Sequence, residues 1–163
     1  MDGIRLIHSL LLQASAVLRT VLGLFACIRD ALVESDIQAL EAMPHKIRVL
    51  LVKAQEIEHA THDARMNAAA VLGKPPEDLS LSGLATAARE AGEHSLADSL
   101  VSVGEECSKL LLDVRSVQVT NAACARQKLA YCRLLLGALA RESCYTPQGS
   151  VTPPRLSILN TRA

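Results

Sequence analysis

The chain has 163 residues, half of them hydrophobic but only 2% aromatic, so Ala and Leu must fill any core, as they do in helix bundles. Lys+Arg and Asp+Glu are equal at 17 each, which excludes the net cationic footprint of a nucleic-acid or anionic-membrane binder. The five cysteines are odd in number and form no CxxC pair, so they read as reduced thiols rather than a disulfide framework.

The N-terminal stretch is strongly apolar, but Asp2, Arg5, His8, Gln13 and Arg19 interrupt it before any run nears the roughly 18 residues a membrane span requires. Ile7, Leu11, Ala14, Leu18, Val21, Phe25, Ile28 and Leu32 form a heptad stripe, which predicts an amphipathic core helix ending near Glu34. A cytoplasmic protein without membrane insertion is the resulting expectation. Ser35 or Asp36 offers an N-cap for a second helix. Its stripe is Leu40, Met43, Ile47, Leu50, Ala54, Ile57, Thr61, Ala64, Ala68 and Val71. Pro44 lies early in it, so either residues 37–43 are a separate short turn or the helix kinks there.

Gly73, Lys74, Pro75 and Pro76 are a strong stop signal. Ser80 or Ser82 caps a short helix through Leu84 to Glu90, and Gly92 separates it from a much longer one. Residues 95–143 then pass without a proline, with Leu96, Leu100, Val103, Cys107, Leu110, Val114 and Val117 at alternating four- and three-residue steps. The register continues through Asn121, Cys124, Lys128, Tyr131, Leu135 and Ala138. This predicts one helix roughly 70 Å long, more than a single compact domain needs, so part of it lacks an intramolecular partner. The tail, with Pro147, Gly149, Pro153 and Pro154, loses the periodicity and reads as flexible.

The fold class is therefore all-α: an elongated antiparallel helical hairpin or three-helix bundle with a short connecting helix, a long third helix and a flexible tail. The expected organisation is a bundle domain at 1–143 and a tail at 144–163.

Sites of chemistry find little support. Glu56 and His59 have the Glu-x-x-His spacing of carboxylate-bridged metal bundles, but no second such pair accompanies them, and the stripe turns Glu56, His59 and Asp63 toward solvent. His62 with Arg65 three residues on has the spacing of phosphotransfer bundles, although Met66 stands where those carry a small residue. Cys27 and Cys144 have no base partner by sequence, and neither a Ser-His-Asp signature nor a glycine-rich phosphate loop is present. The expectation is a non-enzymatic interaction protein with no catalytic residues, metal or cofactor.

A second apolar stripe, Leu129, Cys132, Leu136 and Leu139, runs beside the seam in the last part of the long helix. It is either deeper burial or a surface for a partner's amphipathic helix. Tyr145, one of two tyrosines, stands just beyond it as an interface anchor or a local staple.

Val71, Leu72 and Gly73 followed by Pro75 and Pro76, then the run from Leu79 through Ser80, Leu81, Ser82 and Gly83 to Leu84, a long helix with Asn121, and the turn Tyr145, Thr146, Pro147, Gln148, Gly149 together resemble the FlgN family of flagellar type III export chaperones. Thr146 and Gln148 replace the first glycine and the acidic residue of that family's turn. The resemblance implies a chaperone that holds hook-associated, hook-filament junction proteins by their helical terminal segments. It also implies delivery to the cytoplasmic domain of the export gate, with Tyr145 in docking. Two other readings stand beside it: a structural coiled-coil homodimer with Asn121 and Lys128 setting the register, and a phosphotransfer bundle using His62.

Overall fold

The computed structural model describes residues 1–73, 75–76 and 79–142, the last three by backbone alone. Four helices run in chain order: α1 Asp2–Glu34, α2 Ile37–Leu72, α3 Leu81–Glu90 and α4 His94–Glu142. Among the described residues there is no strand.

The boundaries follow local chemistry. Ser35 takes a left-handed conformation (φ 61°) that closes α1, and the Asp36 side chain accepts the Ala39 N–H, capping α2 one residue later. α2 then runs unbroken past Pro44, whose absent N–H leaves the Leu40 carbonyl without its helical donor. No separate turn forms over 37–43. Pro44 is tolerated because it faces solvent, while Met43 beside it is buried. Gly73 ends α2 in the left-handed region at φ 62°, with its N–H on the Ala69 carbonyl. Ser80 caps α3 by accepting the Gly83 N–H at 3.1 Å.

The chain divides into two compact units, Met1–Asn121 and Ala122–Ala163. The expected boundary after residue 143 falls outside the described residues, and the division seen lies within α4.

The first unit is an up-down-up bundle. α1 and α2 are antiparallel, so Gly3 lies against Ala68 near the other end of the pair, where a Cβ on residue 3 would stand 3.5 Å from the Ala68 Cβ. α1 and α4 run parallel: Arg5 pairs with Glu93, His8 Nε2 lies 2.7 Å from Ser99 Oγ, and Arg19 pairs with Glu106. Farther along, Asn121 reaches the Phe25 carbonyl. These exposed ion pairs set direction more than stability. The core joins Ile4, Ile7, Leu10 and Val17 of α1, Ile57, Ala64, Ala68 and Ala69 of α2, Leu84, Ala85 and Ala88 of α3, and Ala97 and Leu100 of α4. Each large side chain so placed contributes about 1.5–3 kcal/mol.

Two stripes differ from expectation. Of the predicted α1 line only Ile7 is fully buried, whereas Leu10, Val17 and Ala31, which share another heptad line, are buried too. The reason is that α1 has two neighbours, and the Gly3, Leu10, Val17, Ala31 line adds a face to the one that reaches α4. In α2, Ala54 and Val71 do not join the core: Ala54 is exposed, and Val71 is 79% exposed while Leu72 packs inward in its place.

Candidate functional site: the apolar face of α4

The predicted α4 seam is at least half-buried as far as Lys128. Leu100, Val103, Cys107, Leu110 and Asn121 are buried, and Leu96, Val114, Val117, Cys124 and Lys128 are half-buried. Beyond it, every side chain from Leu129 to Leu139 is exposed. The seam positions Tyr131, Leu135 and Ala138, through which the register continues, are therefore on the surface. The second stripe is also exposed, with Leu129 at 52%, Leu136 at 66%, Leu139 at 61%, and Cys132 open between them. At three- and four-residue steps these four occupy one face of the helix. Among the described residues, then, none buries the stripe. A contiguous exposed apolar face on a helix is the mark of a surface that meets a partner. Tyr145 lies outside the described residues.

Asn121 is the last residue of the first unit and the last fully buried position of the seam. It is 7% exposed, its Nδ2 donates to the Phe25 carbonyl at 2.8 Å, and among the described residues its Oδ1 has no hydrogen-bond partner. As a register-setting residue it acts between α1 and α4 of one chain, a use that needs no second copy.

The other sequence candidates separate. Glu56, His59 and Asp63 are exposed, as the stripe predicted. Among the described residues no three of His, Cys, Asp and Glu gather as metal ligands would. His62 is exposed at the rim of a groove of about 620 Å³ between α1, α2 and α4, whose apolar lining includes Leu11, Leu18, Ile57 and Leu111. Ala54 lines this groove, and its small side chain leaves the space open. Arg65, the basic residue of the phosphotransfer spacing, is committed elsewhere: its guanidinium donates to the Pro76 and Leu79 carbonyls at 3.0 and 3.1 Å, pinning the connector. Periodicity did not single out that role, though a cation facing a proline-rich connector was a signal for it. α1 has the length and hydropathy of a membrane-crossing helix, averaging 1.8 over its most apolar window. In the bundle it places Ile4, Ile7, Leu10 and Val17 in the core.

The cysteines at 27, 107, 124 and 132 are free thiols. Cys107 is buried, its Sγ 3.5 Å from the Leu11 carbonyl. Burial pushes its pKa up, the neighbouring Glu106 carboxylate adds to the shift, and Arg19 opposes it. A protonated buried thiol is a packing group, not a nucleophile.

One further property of α4 was legible in the sequence and missed by the whole-chain balance. Residues 114–141 carry Arg115, Arg126, Lys128, Arg133 and Arg141 and no carboxylate. The arrangement as a whole defines a helical bundle whose long helix presents an apolar, cation-flanked face. No protein-family model, no curated protein and no solved structure matches the chain.

Proposed function

We propose that the protein is a flagellar type III export chaperone that binds hook-associated proteins in the cytoplasm through their helical terminal segments and hands them to the cytoplasmic domain of the export gate. It acts by binding, with neither a catalytic centre nor a cofactor. The observation that carries this reading is the exposed stripe of Leu129, Cys132, Leu136 and Leu139. An amphipathic helix that is disordered until bound is the partner such a stripe fits, since its apolar face and that of α4 cover each other. Tyr145 serves the second step, docking on the gate, in line with the family resemblance of the turn around it.

The test is titration of the full-length protein with the terminal helical segments of hook-filament junction proteins. Leu136→Asp places a charge at the centre of the stripe and is expected to cost on the order of 2 kcal/mol of binding or more. Because Leu136 is exposed, helicity by circular dichroism stays unchanged. Tyr145→Ala is expected to weaken gate binding while leaving client affinity within a few-fold. Undiminished client capture by Leu136→Asp would remove the stripe from this role.

A further inference from the structure

We infer that the helix seated on the α4 stripe is acidic along its flanks, and that the stripe's own cations turn away a second copy of this chain. The inference rests on reading the stripe as a client-binding face, and adds what chemistry that client carries.

Arg126 and Arg133 each stand three residues before a stripe leucine, Leu129 and Leu136, and Arg133 follows Leu129 by four. Residues at these separations are neighbours on a helix surface, so the two guanidinium groups line one margin of the stripe at a heptad interval. Both side chains are exposed, and Arg126 Nε donates to its own helix, at the Ala122 carbonyl, 3.1 Å away. Lys128 stands on the opposite margin. In the heptad that the stripe itself sets, these are the positions flanking its two apolar lines, whose charges select the partner and its direction.

The margin carries no carboxylate of its own to balance Arg126 and Arg133, because residues 114–141 contain none. A helix laid on the stripe brings its own flanking residues against Arg126 and Arg133 whether it runs parallel or antiparallel. Carboxylates there complete ion pairs, and they raise the rate of encounter as well. A second copy of this chain instead sets Arg126 and Arg133 against their own equivalents when antiparallel, or against Lys128 when parallel. The repulsion penalises self-pairing, which an exposed leucine stripe would otherwise favour. Number argues for a helix over a lipid surface: the margins carry Arg126, Arg133 and Lys128, fewer than the cluster of roughly four to eight cations that recruits an anionic bilayer.

The experiment is calorimetric titration of the full-length protein with synthetic amphipathic peptides that share one leucine heptad face and carry Glu, Gln or Lys at the flanking positions. The Glu peptide is expected to bind about tenfold more tightly than the Gln peptide, with the Lys peptide weakest, and high ionic strength should narrow the differences. Arg126→Glu with Arg133→Glu should reverse the order without altering helicity, both positions being exposed. Equal affinity for all three peptides overturns the inference and leaves the client-binding reading standing. A stable homodimer of the unaltered protein that Leu136→Asp dissolves also overturns it. So does binding to phosphatidylglycerol vesicles that is lost in the double arginine variant while no peptide is preferred. If none of the peptides binds and Leu136→Asp leaves capture of hook-filament junction segments intact, the client-binding reading itself falls.

Discussion

Asn121 shows how one polar side chain carries a cost and a use at the same time. Its Nδ2 bond to the Phe25 carbonyl ties α4 to α1, while the buried Oδ1 forgoes the bonds it made in water. Asn121→Leu removes donor and orphan acceptor together, and is expected to leave stability unchanged or raise it by up to about 1 kcal/mol. Asn121→Asp puts a carboxylate against a carbonyl and should cost about 2 kcal/mol, both read as urea-denaturation midpoints. A large loss in the leucine variant would mean that the Phe25 bond outweighs the orphan. Cys107 is a second residue-scale case. At mildly alkaline pH a thiol reagent should modify exposed Cys27 and Cys132 quickly and Cys107 only on unfolding. Since its folded pKa lies above the ordinary value of 9.0, the unfolded chain loses this proton first as pH rises. The stabilising contribution is therefore complete below about pH 9 and is lost as pH rises from there through the raised folded value. Cys107→Val should fold normally and show a shallower alkaline decline in stability than the unaltered protein.

At the scale of elements, α2 is the one that departs most from its own sequence signals. Pro44 sits in its second turn, exposed, and the helix tolerates the lost bond to the Leu40 carbonyl. Pro44→Ala restores that donor and a better helix former, and should raise stability by about 2 kcal/mol in urea denaturation. A loss instead would show that the bundle depends on the local geometry Pro44 imposes. The capping signals were legible in advance, because Asp36 and Ser80 bond to N–H groups three residues away whatever the rest of the chain does. The α4 seam was legible as well, down to the half-buried Lys128, since a heptad pattern states which face is packed. Ala54 was not: its place in the stripe is correct, but a methyl group is too short to close the groove that it lines.

For the whole molecule, the decisive feature is that the joined core draws on α1 through Leu100 of α4, while residues 129–139 bury no side chain at all. Stability and recognition are thereby assigned to different parts of the chain. Ending the protein after Lys128 is expected to keep the stability read from urea denaturation within about 0.5 kcal/mol while abolishing capture of hook-filament junction segments. A marked loss of cooperativity would show that the last turns of α4 contribute to the bundle after all. The charge balance divides in the same way. Equal totals conceal a region of α4 without carboxylates, and the local field, not the sum, meets a partner.

Composition, stripe and cap residues by themselves determined that the protein is all-α, where α1 ends and α3 begins, and which face of α4 packs in the first unit. These properties depend on residues within a few turns of one another, where periodicity and capping act. Tertiary structure alone decided that α1 uses two faces rather than one, because a helix's number of neighbours is not written in its own heptads. It also decided that Arg65 holds the connector, that Asn121 is satisfied on one side only, and that the seam is abandoned after Lys128. A heptad stripe reports that a face is apolar; whether it is core or surface depends on whether another part of the chain reaches it. Past Lys128 no side chain up to Leu139 is covered, and the same leucines that would have been core are left exposed to meet a partner.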